Sequence, residues 1–191
     1  MPPPPRDLYV ARHGATEWSD NGRHTGATDI PLTPQGEEDA ARLGRLLRRV
    51  GFSAVYSSDL QRALRTARIA GYPDPILSPL LREYDYGEYE GLTTAEIQKK
   101  RPGWQIYVDE CPGGESLAAV YSRAGRALDL LAAPAGRVLA FSHGHFMRAL
   151  AVAWTSQPLA AANALGLDTA ALCILREGDH GRVIQLWNQV P

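Results

Sequence analysis

The sequence predicts an α/β fold: a three-layer sandwich in which a mostly parallel central sheet is covered by helices on both faces. Short apolar runs alternate with amphipathic segments of helical length, which is typical of parallel sheets whose strands are joined by helices. Two of these runs, Asp7–Arg12 and Arg137–Ser142, are followed directly by His-Gly. Such an ending indicates a buried strand that breaks at the carboxyl edge of the sheet, where open α/β proteins bind ligands. We therefore expect His13 and His143 to face one another across a shared crevice.

Length and composition favour one domain with a substantial core. The chain has 191 residues, of which 45% are apolar, and this suits a single domain over residues 7–191. Around residues 78–115 we expect an excursion that resembles a flap. Residues 1–6 consist mainly of prolines, which have little to bury, so a disordered tail is expected there.

Charge and cysteine content limit the classes of partner. The net charge of -1 and the pI near 6.5 argue against binding to nucleic acid or to a membrane surface. No stretch approaches the roughly 20 apolar residues of a membrane span, and no signal sequence opens the chain. Cys111 and Cys173 lie far apart, which fits reduced thiols in a cytoplasmic protein. The oligomeric state is left open, with a homodimer as one alternative.

Strand and helix signals alternate through the first half of the chain. The strand Asp7–Arg12 leads into a polar, glycine-containing loop over residues 20–31. Thr33 before Pro34 marks the start of a helix, and Gly51 ends it. The apolar side chains spaced for the inward face of this helix are Leu43, Leu46, Leu47 and Val50.

The second strand, Ala54–Ser57, is followed by another helix start. Ser58 and Gln61 have the spacing of a capping box. Arg62 then falls on the first turn of the helix, close to the strand end, where free backbone amides and the positive helix terminus favour an anion.

An acidic loop follows a short strand at residues 75–77. Residues 81–91 contain four carboxylates and three tyrosines with neither helical nor strand periodicity, which is typical of a functional loop. Thr93 and Glu96 form a second capping-box pattern, and the helix that it starts should end before Pro102. Residues 103–114 have no clear period and are expected to form a flap over a site.

The last part of the chain completes the sheet. A helix is predicted at Ser116–Ala132, and the strand Arg137–Ser142 follows it and breaks at His143-Gly144. A further helix is predicted at Phe146–Thr155, and the two final strands at Ala171–Leu175 and Arg182–Trp187.

Two histidines, two arginines and a carboxylate at one sheet edge suit a phosphate dianion better than a metal ion, because the cations oppose metal binding. No glycine-rich nucleotide loop is present, and neither cysteine lies in the context of a nucleophile. We expect no metal and no cofactor. In phosphoryl transfer, Arg12, Arg62 and His143 would surround the phosphoryl oxygens and neutral His13 would attack phosphorus. A carboxyl of the acidic loop, its pKa raised by crowded neighbours, would protonate the leaving oxygen.

Five motifs occur in an order that resembles a known family. They are Arg12-His13-Gly14, Thr25-Gly26, Ser57–Ala63 with Thr66-Ala67, Leu81–Glu83 with Gly87 and Glu90-Gly91, and Ser142-His143-Gly144. Together they resemble the histidine phosphatase superfamily, and in particular its phosphoglycerate-mutase-like branch, over Leu8 to about Thr155. The resemblance implies the fold of that branch.

The resemblance also implies site residues. His13 would be the phosphohistidine, Arg12, Arg62 and His143 would hold the phosphoryl group, and Glu83 would be the proton donor, with Asp85 and Glu88 as rivals. Substrate contacts are expected from Gly14, Ser19, Thr25, Gly26, Tyr86, Gly144 and His145, while contacts from Arg82 and Tyr107 are left open.

Some positions distinguish this chain within the family. Ala15 replaces a frequent Glu or Gln, and Ser19 replaces the Asn of mutases, although its hydroxyl can still donate to a phosphate. The chain lacks the long insertion before His143 that mutases use to enclose their intermediate. The sequence thus looks most like sugar bisphosphatases and broad acid phosphatases. It predicts a metal-independent phosphatase of small phosphorylated metabolites, with a cofactor-dependent phosphoglycerate mutase and a non-catalytic phosphate-binding module as the alternatives.

Overall fold

The computed structural model describes residues 6–179 and 181–191. Except for Arg6, the predicted N-terminal tail lies outside the described residues, and Arg6 itself begins the first strand, one residue earlier than predicted. The strands are β1 (Arg6–Arg12), β2 (Ala54–Ser57), β3 (Ile76–Leu77), β4 (Val138–Ser142), β5 (Leu172–Gly178) and β6 (Gly181–Gln189). The helices are α1 (Glu17–Asp20), α2 (Pro34–Leu47), α3 (Gln61–Ile69), α4 (Thr94–Lys100), α5 (Leu117–Ala132) and α6 (Gly144–Trp154).

The six strands form one mixed sheet in the order β3-β2-β4-β1-β5-β6. The four strands from β3 to β1 are parallel, while β5 and β6 add an antiparallel edge. In the register between β1 and β4, Arg12 lies opposite Ser142. The chain therefore leaves both strands at the same edge of the sheet, as the sequence predicts.

Both faces of the sheet are covered, which explains why the central strands are almost entirely apolar. In β4, Val138 and Ala140 belong to the hydrophobic cluster that α5 and α6 complete, whereas Leu139 and Phe141 belong to the cluster beneath α2 and α3. Side chains alternate across a strand, so each strand supplies both cores at once. This confirms the predicted α/β fold with its mostly parallel sheet and helices.

Helix boundaries agree with the capping signals in most places. Thr33 caps α2, Thr93 and Glu96 form the capping box of α4, and Ser116 caps α5. The capping box predicted at Ser58 is wrong: Leu60 is the N-cap residue of α3 and makes no side-chain cap. The Ser58 hydroxyl accepts instead from the amide of Leu60, at 3.3 Å, and is also bound by a distant histidine.

Two further expectations for the helices are corrected. Leu46 in α2 is 39% exposed, because the buried stripe of this helix runs through Ala40, Leu43 and Leu47. The helix after β4 begins at Gly144, two residues before the predicted start. Among the described residues, none of the helices has both the length and the apolar character to cross a membrane.

Residues 103–114 are anchored to the core. Trp104, Tyr107 and Cys111 are at most 3% exposed and belong to the larger hydrophobic cluster. The Tyr107 hydroxyl also donates to the carbonyl of His145, 2.8 Å away, at the start of α6. The segment therefore forms a packed wall beside the carboxyl edge of the sheet.

Candidate active site

Two histidines meet where β1 and β4 end. The ring centroids of His13 and His143 are 5.1 Å apart, and both side chains are buried. The backbone amide of His13 donates to the Ser142 carbonyl and continues the pairing of the two strands by one step. The sheet itself therefore fixes how closely the two rings approach.

The His13 ring has a defined tautomer. Its Nδ1 lies 2.7 Å from the carbonyl oxygen of Gly14. Because a carbonyl only accepts hydrogen bonds, Nδ1 carries the proton and Nε2 keeps its lone pair. Gly14 also approaches the backbone of α2 so closely that a Cβ would lie 2.3 Å from the carbonyl oxygen of Gly36. Gly14 therefore positions His13 and does not line the cavity described below.

Burial keeps the His13 ring neutral. Desolvation, followed by the positive charges of Arg62 and Arg12, holds the pKa of His13 well below its ordinary value near 6.5. A neutral imidazole with a free Nε2 lone pair is the form that attacks an electrophile.

Arg62 and His143 are held in place by hydrogen bonds to each other and to neighbouring protein groups. Arg62 is fully buried, and its Nη1 and Nη2 donate to the carbonyls of Thr28, Thr25 and Gly26. Its Nε lies 3.1 Å from Nδ1 of His143, which must accept this hydrogen bond. Nε2 of His143 is then protonated and donates to the Ser58 hydroxyl at 2.8 Å.

These contacts correct one expectation about the pocket. Neither Arg62 nor His143 lines the cavity, because protein partners occupy both ring nitrogens of His143 and most of the Arg62 donors. Arg62 can still contribute its positive charge at short range, since a buried charge is weakly screened.

Arg12 lines the cavity described below. Its Nη1 donates to the Leu167 carbonyl at 2.6 Å, while its Nε is buried and has no hydrogen-bond partner among the described residues. Gly144 makes room for this guanidinium, because a Cβ there would lie 3.1 Å from Nε. A buried donor without a partner is costly unless a ligand satisfies it.

The side chain of Glu83 reaches the N-terminus of α6 from the preceding loop of the acidic segment and lines the same cavity as His13. Its Oε1 accepts from the amides of Tyr84 and Phe146, at 2.9 and 2.7 Å, and its Oε2 accepts from the amide of His145 at 3.0 Å. The carboxyl group is therefore fixed in position. Oε1 is saturated by two donors, whereas Oε2 retains a lone pair that can carry a proton.

The rival carboxylates of the acidic loop lie elsewhere. Asp85 and Glu88 are exposed, and Asp85 accepts from the amide of Gly87 within its own turn. Glu90 accepts from the amides of Gly26 and Thr28. The expected crowding of carboxylates around Glu83 is thus wrong, because backbone amides surround it instead.

A cavity of about 180 Å³ opens at this edge of the sheet. It is smaller than the roughly 300–1,000 Å³ of sites for drug-sized ligands. Its lining residues are Arg12, His13, Ser19, Gly22, Arg23, His24, Thr25, Glu83, Tyr86, Thr94, Gly144, His145 and Arg148.

Some of the residues expected to contact the substrate line the cavity, whereas others lie outside it or already use their hydrogen-bonding groups within the protein. Ser19 lines the cavity, but its hydroxyl donates to the Thr16 carbonyl within the capping box of α1, whose N-cap is Thr16, so its proton is already committed. Thr25 also lines it. Gly26 does not, because its amide is bound by Glu90 and a Cβ there would lie 2.6 Å from the Tyr84 carbonyl oxygen. Arg82 pairs with Asp59 on the surface, away from the cavity.

Aromatic rings form one wall of the cavity. The Tyr86 hydroxyl is hydrogen-bonded to Nδ1 of His145, and burial raises the pKa of Tyr86 well above 10. Burial likewise holds the pKa of His145 well below 6.5, so its ring is neutral. The His24 ring packs against Tyr86 with centroids 4.8 Å apart and against Trp104 at 5.6 Å.

Several lining residues are missed by the sequence reasoning, namely Gly22, Arg23, His24, Thr94 and Arg148. Arg148 could have been found, because it lies four residues after Gly144 in α6 and residues at this spacing share one helix face. His24 has no comparable signal, because it reaches the cavity through loop contacts with Tyr86 and Trp104.

The buried histidines make the stability of the protein depend on pH. Burial lowers the pKa of His24 to about 4, whereas an unfolded histidine has a pKa near 6.5. Between these values the unfolded chain binds more protons, so the free energy of unfolding falls as the pH is lowered. For His24 alone we expect a loss of about 2 kcal/mol between pH 7 and pH 5.

Urea unfolding at both pH values measures this loss. The variant His24→Gln should show a smaller difference between the two pH values than the wild type. An identical pH dependence in both proteins would contradict the assignment.

Comparison with known proteins agrees with this geometry. The sequence model of the histidine phosphatase superfamily (branch 1) matches residues 8–190. An acid phosphatase of Mycobacterium tuberculosis is 42% identical over 171 residues, which are 87% of this chain and 84% of that protein. A sedoheptulose 1,7-bisphosphatase of Saccharomyces cerevisiae is 33% identical over 190 residues, covering 78% of this chain and 67% of that protein. The solved structure of an open reading frame product of Mycobacterium tuberculosis matches with a TM-score of 0.93 and 38% identity, over 97% of this chain and 98% of that chain.

The fold, the paired histidines and the phosphatase-named relatives support an enzyme that hydrolyses phosphate esters. More particularly, the chain belongs to the histidine phosphatase superfamily (branch 1). The resemblance stated from the five sequence motifs is thereby confirmed.

Proposed function

We propose that this protein is a metal-independent phosphatase that hydrolyses monoesters of small phosphorylated metabolites through a phosphohistidine at His13. The observation that carries the proposal is the hydrogen bond from His13 Nδ1 to the Gly14 carbonyl, which leaves Nε2 as the nucleophile beside a cavity that Arg12 also lines. In the described part of the chain, no three His, Cys, Asp or Glu side chains gather as a metal-binding group.

The reaction has two steps. In the first, Nε2 of His13 forms a bond to phosphorus, the bond between phosphorus and the ester oxygen breaks, and Oε2 of Glu83 gives its proton to the departing alkoxide. In the second, the Glu83 carboxylate takes a proton from water, the water oxygen bonds to phosphorus, and the bond to Nε2 breaks. Inorganic phosphate leaves and Glu83 is protonated again.

Positive charge stabilises both transition states. The Arg12 guanidinium, which lines the cavity, binds a phosphoryl oxygen directly. Arg62 acts through its buried charge, and His143 holds the Arg62 guanidinium by accepting its Nε–H at 3.1 Å. Fixed donors and charges in a buried site need no rearrangement during the reaction, which makes them effective catalysts.

A panel of sugar phosphates, sugar bisphosphates, phosphoglycerates and an aryl phosphate, assayed for phosphate release with and without a chelator, tests this function. We expect turnover that the chelator does not reduce. Isomerisation of 3-phosphoglycerate without phosphate release would favour the mutase alternative. Tight binding without any turnover would favour the phosphate-binding module.

Arg148 supports a substrate with a second anionic group. Its Nε is buried without a hydrogen-bond partner among the described residues, and it lines the cavity together with Arg12 and Arg23. A carboxylate or a second phosphate on the substrate would pair with the positive charge of the Arg148 guanidinium. The bisphosphatase named among the relatives agrees with such a substrate.

Replacement of Arg148 by methionine should therefore change specificity. We expect kcat/KM for sugar bisphosphates to fall roughly 10- to 100-fold, the effect of losing a hydrogen bond to a charged group. An aryl phosphate without a second anion should be affected by less than about 3-fold. Arg126→Met, at an exposed position of α5, is the matched control. Equal losses on both substrates would contradict the second anionic group.

A further inference from the structure

We infer that Arg123 is the positioning residue that holds the Glu83 carboxyl group in place for proton transfer. The inference rests on the proposed role of Glu83 as the general acid and base. Arg123 lies in the middle of α5 and is 9% exposed, so it is part of the interior and does not line the cavity.

All five N–H donors of the Arg123 guanidinium are used. Nη1 donates to the carbonyls of Leu80 and Arg82, at 3.1 and 2.7 Å, and Nη2 donates to the carbonyl of Glu83 at 3.1 Å. Nε and the remaining Nη2 proton bind the two carboxylate oxygens of Glu115, at 2.8 and 2.6 Å. One side chain thus fixes the backbone on which Glu83 is carried.

Arg123 also supports the donors that bind the Glu83 carboxyl group. Its guanidinium carbon lies 4.1 Å from the centroid of the Phe146 ring. The backbone amide of Phe146 is the closest donor to Oε1 of Glu83, at 2.7 Å. Arg123 therefore contacts both Glu83, through its backbone carbonyl, and Phe146, whose amide orients the Glu83 carboxyl group.

Glu115, the partner of Arg123, contacts the two residues that follow Glu83 in the same loop. Its amide donates to the Asp85 carbonyl at 2.9 Å, and its carbonyl accepts from the Tyr84 hydroxyl at 2.9 Å. The pair Arg123–Glu115 therefore ties residues 80–85 to α5. Without Arg123, the carbonyls of Leu80, Arg82 and Glu83 lose their donors, and unsatisfied buried carbonyls are costly enough to shift the segment.

The nucleophile should be unaffected by such a shift. His13 is fixed by the pairing of β1 with β4 and by the Gly14 carbonyl, and none of its hydrogen bonds involves Arg123 or Glu115. Loss of Arg123 should therefore impair protonation of the leaving group while phosphorus remains accessible to attack.

The dependence of the rate on the leaving group separates these two effects. An alkyl phosphate needs a proton on its departing oxygen, whereas the stable nitrophenolate of p-nitrophenyl phosphate leaves without one. For Arg123→Met we expect kcat/KM with an alkyl phosphate to fall roughly 10-fold or more, within the roughly 10²- to 10⁴-fold that an acid contributes. For the same variant, kcat/KM with p-nitrophenyl phosphate should change by less than about 3-fold. Arg123→Lys, which keeps the charge and part of the donors, should give an intermediate ratio and serves as the milder variant if Arg123→Met does not fold.

Glu83→Gln provides the reference. If it lowers the alkyl-to-aryl ratio and neither Arg123 variant does, the inference is overturned while the proposed acid stands. If either folded Arg123 variant loses both activities equally, the role of Arg123 is merely structural and the inference is also overturned. If Glu83→Gln leaves the ratio unchanged, the proposed acid itself fails and the inference fails with it.

Discussion

Replacement of His13 by alanine is expected to lower kcat/KM for phosphate monoesters by roughly 10⁴-fold or more, because no other group takes over the bond to phosphorus. The neighbouring His143 cannot substitute for it, since its Nδ1 accepts from Arg62 and its Nε2 donates to Ser58. The variant should also form no covalent phosphoenzyme when mixed with a labelled substrate and quenched within milliseconds.

Two measurements test whether the variant loses activity because the nucleophile is missing or because the protein misfolds. The buried ring leaves a small cavity when it is removed, and added imidazole should restore part of the activity by occupying it. Circular dichroism should show the wild-type secondary structure. Turnover in the variant near the wild-type rate would refute the assigned nucleophile, and a phosphoenzyme that persists without His13 would move the attachment to another residue.

Replacement of Glu83 by glutamine is expected to have the second-largest effect. The amide keeps the size of the side chain but cannot exchange a proton, so alkyl phosphates should lose roughly 10²- to 10⁴-fold in kcat. With an aryl phosphate the first step proceeds, but no base activates water for the second. A burst of phenolate followed by slow turnover, with accumulation of the phosphoenzyme, is the expected kinetic signature.

The acidic loop offers matched controls for this variant. Asp85→Asn and Glu88→Gln remove carboxylates of the same loop that are exposed to solvent. Both should retain rates within about 3-fold of the wild type and show no burst. If one of them, and not Glu83→Gln, accumulates the phosphoenzyme, the acid has been assigned to the wrong carboxylate.

The parts of the site that the sequence predicts well are those dictated by the backbone. His13 and His143 each follow a strand, and the neighbouring positions of β1 and β4 bring them together whatever their side-chain environment. The capping box at Thr93 and Glu96 is equally local, and the structure confirms it.

The features that the sequence does not predict depend on contacts between distant segments. Ser58 has the spacing of a cap, yet His143, 85 positions later, binds its hydroxyl. Arg123 looks like any arginine on an amphipathic helix, but the loop that carries Glu83 approaches it and buries its charge against Glu115. Arg62 is recognised at the correct place, while its commitment to the carbonyls of residues 25–28 follows only from the folded loop.

In the proposed mechanism, the hydrogen bond between His13 and the Gly14 carbonyl also determines which isomer of phosphohistidine accumulates. With Nδ1 occupied, the bond to phosphorus can form only at the remote ring nitrogen, which gives τ-phosphohistidine and never the π isomer. An antibody selective for the τ form should therefore detect the trapped intermediate, whereas one raised against the π form should not.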